Sequence, residues 1–128
     1  TRANLIKADI WAKVIWGDIG NPDLLNSDLQ ENYNIDLKDL LNVRTFLDHN
    51  RIWEDPKNKT RDRVSTSTGA FAHRGVHISN NDVEDNLLEH FMKWSPYVRK
   101  FGLLIIELHT VATELTSQNI GKTAATAF

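Results

Sequence analysis

An alternation constrains the fold of this chain more than any other feature. Three short apolar runs lie in Val14-Ile15-Trp16, Asn42–Asp48 and Phe101–Leu108, and segments with helical signals separate them. The first and last runs are continuous rather than alternating. That is the pattern of strands buried on both faces of a parallel sheet. Val43, Thr45 and Phe46 give the middle run its strand preference. After the first strand, Asn21-Pro22-Asp23 opens a helix: Asn21 caps, Pro22 suits the first helical position and Asp23 suits the positive end of the dipole. Leu24, Leu25 and Leu29 give this helix an apolar side, and Asn34–Leu41 reads as a turn and a short second helix.

Ahead of the first strand, residues 1–12 read as the end of a helix. Asn50–Gly75 reads as a long loop, polar and rich in Lys, Arg, Ser and Thr over Glu54–Thr68. Loops of that length in compact domains are usually functional or disordered. Beyond it, Asn81 and Glu84 have capping-box spacing, and Val83, Leu87, Leu88, Phe91 and Met92 form one apolar stripe. Ser95-Pro96 is expected to stop that helix. The tail Thr110–Phe128 is expected to be helical in part. The resulting order predicts an α/β fold, a three-layer Rossmann-like arrangement with a mostly parallel sheet.

Composition narrows the function classes. The 128 residues carry 15 Lys+Arg against 17 Asp+Glu, a net charge of −2, which supplies no electrostatic case for nucleic acid or an anionic membrane. The longest apolar run, Leu103–Ile106, is far short of the ~20 residues of a membrane helix. With no cysteine, disulfide scaffolds, cysteine zinc sites and a cysteine nucleophile are excluded, and a reducing, cytoplasmic setting fits.

In parallel sheets ligands bind beyond the carboxyl ends of the strands. Here those ends are Gly17-Asp18-Ile19, Leu47-Asp48-His49 and Glu107-Leu108-His109, each with an acid or a His. Gly17-Asp18-Ile19-Gly20 reads either as a cofactor loop, with Asp18 accepting from an amine or hydroxyl, or as a turn in which Asp18 satisfies local backbone donors. Asp48 could orient or ligate, and His49 has the right chemistry for a general base; the alternative is a polar strand end facing water. Glu107 and His109 share a face if the strand continues, as an acid/base pair or as an ion pair and a cap.

Other groups carry less. His73 and His77 have helical metal spacing, but Gly75 between them and the extended look of Val76-His77-Ile78 argue against it. His90 reads as a flank of the core. Gly121-Lys122-Thr123 lacks the upstream glycine of a phosphate loop, since residue 116 is Thr. Lys57–Arg63 reads as a solvated, mobile basic loop.

Taken together, VIWGDIGNPD, NVRTFLDHNR and KFGLLIIELHT resemble the later strands of a class I S-adenosylmethionine-dependent methyltransferase, and in particular the domains embedded in modular polyketide synthases. The loop-plus-helix NDVEDNLLEHFMKWSPYVRK and the tail ELTSQNIGKTAATAF are also similar to that group. The resemblance implies S-adenosylmethionine as cofactor and an acyl chain on an acyl carrier protein as substrate. It places Gly17, Asp18 and Ile19 near the adenine and Leu47, Asp48 and His49 near the transferable methyl, with His109 beside the acceptor. His49 is the first choice for a base. Some related domains use a bound metal ion, for which Asp48, His49 and His109 are the candidates. The glycine-rich cofactor loop of such domains has no counterpart among the 6 glycines here. The resemblance thus implies that residues 1–128 are the C-terminal portion of one such domain. Thr1 and Phe128 would be cut points and the remainder of the parent polypeptide a partner. The competing reading is a non-catalytic α/β docking module of a multidomain protein.

Overall fold

The computed structural model describes residues 2–9, 11–48, 51–67, 69–107, 113–119 and 122. It contains helices α1 (Arg2–Lys7), α2 (Pro22–Tyr33), α3 (Asn80–Val98) and α4 (Thr113–Gln118), and a 3₁₀ turn at Leu37–Asp39. The strands are β1 (Asn42–Thr45), β2 (Phe71–His73), β3 (Val76–Ile78) and β4 (Leu103–Ile106). The expected parallel pairing is present: β1 lies beside β4, with Asn42 opposite Leu103 and Thr45 opposite Ile106. Between them the chain makes an antiparallel hairpin, β2 with β3, turning at Arg74-Gly75, both at positive φ as a tight hairpin turn requires.

Helix α2 starts as its sequence predicts. The Asn21 side chain accepts from the Leu24 amide, Pro22 takes the first position, and Asn34 closes the helix in a left-handed conformation. The Asp36 carboxylate then caps the 3₁₀ turn by accepting from the Lys38 amide at 2.9 Å. Leu29, Leu37, Trp94 and Tyr97 form the core where α2, the 3₁₀ turn and α3 meet, and Ile15, Ile19, Leu25, Tyr33 and Val98 pack around it.

Four expectations are overturned. Val14-Ile15-Trp16 is not a strand: among the described residues no strand pairs with it, and Trp16 is 76% exposed. A run of apolar residues becomes a strand only where a neighbour takes up its backbone groups. Helix α3 begins at the cap Ser79, whose hydroxyl accepts from the Asp82 amide at 3.1 Å, because Asn81 is engaged by the preceding loop. It also runs through Pro96 to Val98, where buried Tyr97 holds the last turn in place. Gly102, at φ +93°, then lets the chain drop directly into β4.

The third correction concerns the face of α3. The apolar stripe looks outward: Leu87 and Leu88 are exposed and Met92 is 64% exposed, while Asp85, His90, Trp94 and Tyr97 are buried. Each of those four has polar partners that offset its desolvation. The fourth concerns the basic loop, which is exposed as expected but strapped along α3. Asp85 accepts from the Thr60 amide at 2.7 Å and from Arg63 Nη2 at 3.0 Å. Asn58 N–H donates to Glu89 at 2.7 Å, Lys59 pairs with Asp82 at 3.1 Å, and the Ser65 hydroxyl bonds Glu84.

Candidate functional site

The parallel pair brings two of the three acid-bearing strand ends together. At the end of β1 the chain bends at Phe46, whose φ of 56° is rare for an aromatic residue. The Phe46 amide still donates to the Ile106 carbonyl at 2.9 Å, and two residues later the Asp48 amide donates to Glu107 Oε1 at 2.7 Å.

The Asp48 side chain turns inward. Its Oδ1 lies 2.8 Å from His90 Nε2 and 3.2 Å from Arg44 Nη2, and all three side chains are buried. The Asp48 carbonyl accepts from Arg51 Nε at 2.8 Å. Arg44 spreads over the Trp94 ring at 4.5 Å, a cation–π contact. Burial lowers the His90 pKa from its usual value, with Arg51 and Arg44 adding to the effect and the Asp48 hydrogen bond opposing it. This favours the neutral form of His90 at neutral pH, and a neutral imidazole facing a carboxylate donates from Nε2 and keeps its lone pair on Nδ1. Burial also lowers the pKa of Arg44 and of Arg51, against the pull of Asp48.

His90 opens onto a cleft of about 430 Å³ whose wall includes Asp18, Arg51, Glu54, Lys57 and Lys93. The turn that carries Asp18 is fastened to α3, since the Ile19 carbonyl accepts from Trp94 Nε1 at 2.8 Å. Asp18 Oδ1 accepts from the Gly20 amide at 2.8 Å, so this carboxylate shapes its own turn as well as bordering the cleft. A second groove of about 470 Å³, between residues 14–18 and α2, is lined by Gly17 and again by Asp18.

The predicted site residues thus fall into three groups. Asp18 borders the cleft, and Asp48 lies behind it against His90. Gly17 and Leu47 are exposed, and Ile19 packs against the core. His49 and His109 lie outside the described residues. Among the described residues, no group of three or more His, Asp or Glu side chains gathers as a metal site would. His73 and His77 sit in the β2–β3 hairpin rather than on a helix. No described helix is long and apolar enough to cross a membrane.

Sequence reasoning missed His90 as a site residue. The available signal was its spacing with Trp94 and Tyr97, four and seven residues on, which marks a second, polar-aromatic face of the same helix.

No curated protein matches the chain. A protein family described as the AprA MT2-like domain does, over residues 1–128. The resemblance carried by the sequence segments thereby holds at the level of the family, and the chain belongs to the AprA MT2-like domain family of methyltransferases.

Proposed function

We propose that this chain is the later-strand portion of a polyketide-synthase methyltransferase domain that moves a methyl group from S-adenosylmethionine to a carrier-bound acyl chain. Family membership supports methyl transfer. The observation that carries the siting is the meeting of Asp48 and Glu107 at the carboxyl ends of two parallel strands, where ligands of open α/β sheets bind. The cleft bordered by His90, the partner of Asp48, suits the cofactor chemically. Asp18 and Glu54 are acceptors for hydroxyl and amine groups, and Arg51 and Lys93 are partners for a carboxylate. When bound, S-adenosylmethionine supplies an electrophilic methyl group.

The residues of the chain would then orient donor and acceptor and take a proton from the acceptor carbon. His49, next to Asp48 in sequence, is the proposed base. The test is methyl transfer by the polypeptide that carries this chain, with cofactor affinity measured by calorimetry. His49→Ala is expected to slow transfer by about a hundredfold with affinity unchanged. Transfer within about twofold of the parent would remove His49 from the mechanism.

A further inference from the structure

The turn at the end of β1 is costly in two ways. Phe46 holds a left-handed backbone that side chains with a Cβ avoid. Behind it lies a charge cluster that burial penalises: Arg44 is 4% exposed, Asp48 6% and His90 2%. Hydrogen bonding compensates only part of that burial. Arg44 Nη2 is close to Asp48, yet Arg44 Nε, Nη1 and Nη2 and Asp48 Oδ2 have no aligned hydrogen-bond partner among the described residues. Apolar side chains of similar volume often replace such a cluster without loss of stability.

Strained backbone persists where surrounding contacts over-determine it. Asp48 is held in that manner, by Glu107 at its amide, by Arg51 at its carbonyl, and by His90 and Arg44 at its carboxylate. We infer that His90 and Arg44 are positioning residues: they clamp the Asp48 carboxylate so that the strained Phe46–Asp48 turn keeps one conformation, and with it the Asp48 carbonyl that holds Arg51 at the wall of the cleft. Helix α3 supplies both halves of the clamp, His90 to the carboxylate and Trp94 to the face of Arg44. The catalytic meaning of this clamp rests on the methyltransferase reading; the clamp itself does not.

Amide hydrogen exchange on the folded chain tests it. His90→Phe keeps a ring but removes the donor, and should raise exchange at the Asp48 amide by roughly tenfold. The Phe46 amide, bonded to Ile106, should stay within about twofold. His90→Gln retains an N–H donor and should restore protection at Asp48. Unchanged Asp48 exchange in His90→Phe overturns the proposal. So does a joint rise at Asp48 and Phe46, which would mean general loosening.

A second measurement needs no variant. Nitrogen NMR of the His90 ring at neutral pH should show the neutral, Nε2-protonated tautomer, and the Nδ1-protonated form overturns the clamp. In methyl-transfer assays His90→Phe should lower kcat with KM for the methyl donor unchanged, and His90→Gln should recover it. If the wild-type protein transfers no methyl group, the functional reading fails while exchange and tautomer still decide the clamp.

Discussion

At His90 burial and a carboxylate partner pull in opposite directions, and burial prevails, so its pKa falls below the ordinary 6.5. The unfolded chain then binds a proton at this position at pH values where the folded chain does not. Stability linked to His90 is accordingly complete above pH 6.5 and is lost as pH falls below it. Asp85 acts on the same side at lower pH. Hydrogen bonding from the Thr60 amide, opposed by burial, holds its pKa below 3.8, so its contribution is present above that value and is lost as pH falls through the folded value. The urea midpoint should therefore be flat between 6.5 and about 10, where the Tyr97 phenol of the unfolded chain begins to ionise, and decline on the acid side, with the first part of the acid decline absent in His90→Phe. A midpoint that rises on acidification would contradict the assignment. Asp48 could be picked out from its place after an apolar run, because strand ends are legible in sequence. His90 could not, because nothing local tells a buried His from a flanking one. Its partner is 42 residues away.

Among the elements, α3 teaches most. Its apolar stripe of Leu87, Leu88 and Met92 points outward, so those residues should behave as surface positions. Leu88→Gln and Met92→Gln are each expected to change the unfolding free energy by less than about 0.5 kcal/mol. A loss of about 2–5 kcal/mol, the range for truncating a buried Leu or Met, would place the stripe in a core after all. The helix itself was legible, since 3.6-residue periodicity is a local property. The face it buries was not. Hydrophobicity favours the stripe, but Asp85, His90 and Trp94 find partners in the loop, β1 and the Asp18 turn, and satisfied polar groups can be buried at little cost. The ties of the exposed Lys57–Arg63 loop to α3 were hidden for the same reason. Its cations look solvated in sequence, and two of them, Lys59 and Arg63, are paired by carboxylates of α3 in space.

Ties between residues far apart in sequence hold the whole molecule together. Tyr97 donates to Asp23 Oδ1 at 2.6 Å, closing α3 onto the start of α2, and that bond with the carboxylate pushes the phenol up to about 12. Tyr97→Phe is expected to cost about 1 kcal/mol in urea unfolding, with the far-ultraviolet dichroism unchanged. An unchanged midpoint would show that the bond contributes nothing net.

By itself the sequence determined the local events: the Asn21 and Pro22 start of α2, the strand character of β1 and β4, their parallel pairing through an intervening helix, and the family. Those follow from side-chain shape and short-range periodicity. Only the tertiary structure decided that Val14-Ile15-Trp16 is not a strand, that α3 buries its polar-aromatic face, and that Asp48 is clamped by Arg44 and His90. Backbone pairing and the burial of charge depend on partners tens of residues away, and distance along the chain carries no record of them.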